Sequence, residues 1–301
     1  MPGRTKWLDQ VHGGWLALLG ITILSPDALL IRLIKADDMT TAFWRLLILG
    51  LTLMVAAMWR GMRARQTLWQ AVCPTRQETL AGLFYGGTSA CFILSIKNTD
   101  AANTLVIIAA TPLLSGLIGA FLFRRRQALR TWIASIVVFV ALATIVGSGL
   151  GGANMLGDLL ALGTAICMAC YFNVLGVCIK VDTVRAMMVG ALLVAVFVAP
   201  AATPAALYPW DPLWLVLLGC VVLPLSFTFI SMGAKRIPAA EVGLIMLTEA
   251  ILGSGLVWLF MGEVPSRTTL IAGAVVITTL AAHSALALYG RKQRHSASKA
   301  V

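Results

Sequence analysis

Residues 239–263 read AAEVGLIMLTEAILGSGLVWLFMGE. The stretch is apolar beyond the ~20 residues an α-helix needs to cross a bilayer. One carboxylate, Glu249, sits at its middle. Residues 101–125 read AANTLVIIAATPLLSGLIGAFLFRR and align with it without a gap, 138 positions earlier. The register holds on both sides of the spans: Lys97, Ile107, Thr131, Ala134, Val138 and Leu142 meet Lys235, Ile245, Thr269, Ala272, Val276 and Leu280. A gapless match that runs across a charged loop is the mark of a duplicated membrane unit, 1–150 followed by 151–301.

Composition agrees. The 301 residues are 59% hydrophobic and 12% charged, with a mean hydropathy of +0.91. A soluble domain carries about 45–50% apolar and ~25% charged residues. The net charge of +11 does not form one patch, so no nucleic-acid partner is expected. The basic residues sit in short clusters between apolar runs, where they set topology. Cys167 and Cys170 have redox or metal spacing, but they lie inside an apolar run with no histidine near. They read as small packing residues. With three histidines in all, no metal centre and no cofactor are expected. No small-residue cleavage site follows the first span, which reads as a mature helix.

About ten spans fit the length rule: 12–33, 40–59, 77–96, 102–123, 130–147, 156–178, 185–202, 212–232, 239–261 and 267–289. Loop charges support that number. If both termini are cytoplasmic, eighteen Lys and Arg fall on that side and three (Lys35, Lys97 and Arg267) on the other. Arg4, Lys6, Arg60, Arg76, Arg124, Arg125, Arg126, Lys180, Lys235 and Arg236 carry much of the excess. An excess of Lys and Arg marks the cytoplasmic side. Five spans per unit is an odd number, so the second unit enters the membrane inverted. Inverted repeats are typical of secondary transporters, with the substrate near the midplane between the halves.

The chain resembles the drug/metabolite transporter superfamily, EamA type. The residues that carry the resemblance are Gly157-Asp158-Leu159-Leu160-Ala161-Leu162 with its counterpart Gly13-Gly14-Trp15-Leu16-Ala17-Leu18, Phe43-Trp44-Arg45-Leu46-Leu47, and Phe260-Met261-Gly262-Glu263. One departure is plain: Arg124-Arg125-Arg126 stands where the first unit would repeat that glutamate. The resemblance implies a ten-helix exporter of small metabolites, amino acids or drugs in the inner membrane. It implies a small-molecule substrate, the lipid bilayer and protons as partners, in a monomer or homodimer.

Intramembrane polar residues are the candidate site. An ionisable group at the bilayer centre must face protein or water, so Glu249 is a candidate proton carrier or cation ligand. Ile245, Leu252, Gly253 and Leu256 share its face, and Gly253 leaves room for a ligand or a close helix. Thr111 and Ser115 are the matching positions of the first unit. Pro112 removes a backbone donor and frees the carbonyl of Ile108. Ser25-Pro26-Asp27 and Cys170-Tyr171-Phe172-Asn173 interrupt their helices at similar depth. Asp27 is expected to pair with Arg45; Arg32 is a second candidate, expected to snorkel outward. His283 is a candidate proton relay. Tyr85, Tyr171 and Trp258 are candidate pocket walls, and Gly82-x-x-x-Gly86 reads as helix packing.

Two other classes are weighed. Gly253-Ser254-Gly255 with His283 has the elements of an intramembrane serine protease, although Leu252 stands where that pattern needs glycine. A membrane sensor would bind ligand without moving it. Within the transporter class, proton-coupled antiport and facilitated diffusion both stay open.

Overall fold

The computed structural model describes residues 13–65, 67–123, 129–148, 154–178, 181–234 and 239–299. The basic residues at 4, 6, 124–126, 180 and 235–236 lie outside them, as do the side chains of 287–299.

Helices are the only regular structure among the described residues. The backbone follows the apolar runs because a helix satisfies its own N–H and C=O groups in lipid. In the first half, α1 is Gly13–Leu24, α2 Asp27–Leu33, α3 Asp38–Arg63, α4 Leu68–Val72 and α5 Arg76–Asn98. It continues with α6 Ala101–Ala109, α7 Thr111–Phe123 and α8 Leu129–Ser148. The second half has α9 Met155–Val177, α10 Thr183–Val198 and α11 Asp211–Val216, followed by a π turn, Leu217–Val222. Then come α12 Leu223–Ala234, α13 Ala239–Met261 and α14 Arg267–Lys299.

Seven stretches are long and apolar enough to span a membrane, among them 13–33, which joins α1 and α2, and 211–230, which runs from α11 into α12. They become eight when α6 and α7, bent by 41° at Ala110, are taken as one. The shorter apolar helices 131–147 and 245–261 complete the bundle.

Helix starts are written locally. Asp37 caps α3 through Thr40 N at 3.0 Å. Thr75 and Glu78 form a capping box on α5, and Asp182 caps α10. Each cap gives a partner to an N–H that the helix leaves unpaired. Gly262, at φ +68°, ends α13 in the left-handed region that favours glycine.

The helices pair by exchange between halves. α1 packs on α12 as α9 packs on α5; α13 packs on α1 as α9 packs on α6 and α7. α3 meets α10, and α8 meets α14. Interfaces are lined by fully buried small residues such as Ala81, Ala161, Ala165 and Ala191. Small residues let helices approach closely where lipid gives no hydrophobic drive to associate. Closest is the crossing of α5 and α10, where a Cβ on Gly190 would stand 2.0 Å from Gly82 O. Large apolar side chains such as Val55, Ile136, Phe197 and Leu259 point outward.

Two expectations change. α9 runs unbroken through Tyr171 and Asn173, so only the first helix is interrupted at Ser25-Pro26. Asn173 leaves the helical ladder intact because its Nδ2 donates to Ala169 O at 2.9 Å, within its own helix. Arg32 is not a second partner for Asp27, which Arg45 holds; its contacts follow below.

Candidate functional site

Below, the upper face carries the loops at 34–37, 99–100 and 262–266, and the lower face carries 64–65, 67–75, 178 and 181–182.

The break at Ser25-Pro26 sets Asp27 at the start of α2, inside the bundle. Arg45 Nη2 donates to Asp27 Oδ1 at 2.8 Å and to Oδ2 at 2.6 Å. Both residues are buried, at 5% and 2% exposure. Two charges are held in a low-dielectric interior only when paired this closely. Arg45 Nε and Nη1 have no described hydrogen-bond partner, and the guanidinium lies 5.9 Å from the Phe92 ring centroid. Tyr85 stands nearby, its ring 5.7 Å from Tyr171 and 5.8 Å from Phe227. Tyr171 Oη is buried and has no described partner.

Glu249, on α13, lies within electrostatic range of Asp27. It is half-buried, and the charge of Asp27 acts on it. No ion pair to it is found among the described residues. Asp27, Arg45, Tyr85, Tyr171 and Glu249 thus gather from α2, α3, α5, α9 and α13. Both halves contribute.

Other expected residues lie elsewhere. Gly253 does not open a space: a Cβ there would meet Leu105 Cδ1 at 2.8 Å and Ser25 O at 3.5 Å, so it is a close helix contact. Leu252 is 37% exposed and leaves the buried face, which runs through Leu247, Ala250, Gly253 and Val257. Trp258, at 57%, stands with the exposed Leu259 and Phe260. Thr111 turns its hydroxyl onto Ile108 O at 2.5 Å, covering the carbonyl that Pro112 frees. Ser115 is held by Asn173, whose Nδ2 donates to Ser115 O at 2.9 Å and lies 3.0 Å from Ser115 Oγ. His283 Nε2 is 3.1 Å from Thr131 Oγ1 on α8. Both line a cavity of about 150 Å³ with Pro112, Leu113, Gly116, Leu280 and Ser284. Ser254 donates to Ala250 O in its own helix rather than turning toward His283.

Three acids, two of them buried, escaped the sequence reading as functional groups. On the upper face Arg32 Nη2 donates to Glu263 Oε1 at 3.1 Å and to Thr99 O at 2.6 Å. The same Glu263 oxygen accepts from Ala101 N at 2.6 Å. This knot ties α2, α6 and the end of α13 together. Asp211, 1% exposed, accepts from Lys35 N and Ala36 N at 2.9 Å each. On the lower face Glu78, also 1% exposed, accepts from Asp182 N at 3.0 Å and from Arg185 Nη2 at 2.8 Å. The Thr75-x-x-Glu78 box and the Asp211-Pro212 helix start were the available signals.

A helical bundle with outward apolar side chains, halves paired by exchange and a charged cluster where they meet is the architecture of a multi-pass membrane transporter. The EamA-like transporter family matches residues 11–147 and again 155–284, and the chain belongs to that family. It shares its fold with a solved structure titled "Crystal structure of protein". The two are 20% identical with a TM-score of 0.63, over 91% of this chain and 97% of that one. No curated protein matches the chain.

Proposed function

We propose that the protein is a secondary transporter that exports small metabolites, amino acids or drugs by alternating access. Its ten spans form two inverted five-helix repeats, 1–150 and 151–301, with both termini on the cytoplasmic side of the inner membrane. The observation that carries this reading is the Asp27–Arg45 pair beside Glu249, where helices of both halves meet. Charged groups at that depth are costly and mark a transport path. The exchange pairing of helices supports two interconvertible halves, and the lopsided basic loops support the orientation.

In the state described, the Arg32–Glu263 knot ties the halves together at the upper face. Glu249 carries the coupling proton, and the Arg45 edge with Tyr85 and Tyr171 receives the substrate. The test is flux in proteoliposomes loaded with amino acids and small organic cations, with and without a pH gradient. The native protein accumulates substrate along the gradient, and Glu249→Gln loses the driven part alone. Flux that ignores pH in both proteins makes the protein a facilitator and Glu249 structural.

A further inference from the structure

The carboxylate of Asp158 has no part in the site above. It stands in the first turn of α9 at 0% exposure. Its Oδ1 accepts from Thr99 Oγ1 at 2.7 Å and from Asn103 Nδ2 at 3.3 Å. Its Oδ2 is buried and has no hydrogen-bond partner among the described residues. None of the described ion pairs includes Asp158. A buried carboxylate left with one bare oxygen and no counter-charge is strongly disfavoured.

The surroundings are rich in oxygen. Asn103 Oδ1 accepts from Thr269 Oγ1, which also meets Ser266 Oγ at 2.7 Å. Ser95 Oγ donates to Gly157 O at 2.8 Å and pairs with Thr104. Gly157 brings α9 against the end of α5: a Cβ on it would lie 2.6 Å from the Asn98 carbonyl carbon. The last carbonyls of a helix lack intrahelical partners and form the negative end of its dipole.

We propose that Asp158, through its bare Oδ2 and with the Thr99 hydroxyl beside the carboxylate, holds a sodium ion. One negative charge is matched by one positive charge. The ligands are hard oxygens, and helix-end carbonyls serve sodium in membrane transporters. Among the described residues no three Asp, Glu, His or Cys side chains gather, as a multidentate divalent or zinc site would need. The site ties the start of α9 to α5, α6 and α14, so an ion there stabilises this upper corner where both halves meet. The proposal goes beyond the transporter reading, since ion binding is measured without substrate.

The test is thermal unfolding of the purified full-length protein in NaCl, KCl or choline chloride at constant ionic strength. A ligand bound to the folded state alone raises Tm with a saturating dependence, so the titration runs from about 1 to about 300 mM. Sodium raises Tm by several degrees over choline, Asp158→Asn loses that increment, and Thr269→Val needs several-fold more sodium. Equal Tm in sodium and choline for the wild type overturns the site. So does a sodium effect that survives in Asp158→Asn. Should that variant not fold, the wild-type and Thr269→Val titrations decide. A protein that transports without any sodium effect keeps the transporter reading and loses this site.

Discussion

Glu78 and Asp211 perform one task at opposite faces of the bundle. Each stands in the first turn of the third span of its half and accepts the backbone N–H three residues before it, from Thr75 at 2.8 Å and Tyr208 at 3.1 Å. Each also accepts backbone N–H groups from the loop after the first span of the other half: Asp182 for Glu78, Lys35 and Ala36 for Asp211. The two contacts are related by exchange of halves. A carboxylate at a helix N-terminus also meets the positive end of its dipole.

Removing either carboxylate leaves buried donors bare, at about 1–3 kcal/mol each. Glu78→Ala and Asp211→Ala both lower thermal stability, and Glu78→Ala by more, because each abandons three donors and one of those on Glu78 is the charged Arg185 guanidinium. Thermal unfolding in detergent reads the order. Neutral behaviour of both variants shows that the clamps do not hold the halves.

The Asp27–Arg45 pair calls for a double-mutant cycle. Breaking a buried pair at one partner costs about 3–5 kcal/mol, whereas replacing both by apolar residues of similar volume is often neutral. Asp27→Leu and Arg45→Met each destabilise strongly, and the double variant recovers most of that loss. Recovered stability without recovered flux assigns the pair to transport. Recovery of both makes it a structural strut.

The first half and the close of the second were not equally legible. Hydropathy and the 138-residue offset exposed the spans, because lipid demands long apolar helices and a duplication repeats them. Asp27 and Arg45 were matched because opposite charges buried in one bundle must meet. Arg32 was expected to reach outward, but not to meet fixed partners there. That argument treats a side chain alone, whereas Thr99 O and Glu263 arrive through the fold. Gly253 was read as room for a ligand or a close helix, and it is the helix that comes close, with Leu105 against it. Asp158 and Asp211 carry meaning only once loops from distant sequence are brought to them.

The Arg32–Glu263 pair is half-exposed, at 21% and 22%, and bridges α2 to the end of α13. Its static contribution is small, about 0–1 kcal/mol, as for other solvent-accessible pairs. Its effect is on conformation: Glu263→Gln frees the upper face. In a background without the six native cysteines, Ser25→Cys is then labelled several-fold faster by an impermeant maleimide in the Glu263→Gln variant. An unchanged labelling rate removes the latch from the account.

Gly190→Ala forces α5 and α10 apart, since its Cβ would fall 2.0 Å from Gly82 O. Overpacking of this kind costs about 1–3 kcal/mol. Gly147→Ala, which meets nothing within 4 Å, leaves stability unchanged and serves as the control. Equal unfolding temperatures for the two variants contradict the close crossing.

The measurement nearest the centre of the account is substrate flux in proteoliposomes under an imposed pH gradient, native against Glu249→Gln. The account predicts accumulation by the native protein that follows the gradient, and passive equilibration alone in the variant. Undiminished, gradient-driven accumulation by Glu249→Gln contradicts it and moves the coupling group elsewhere.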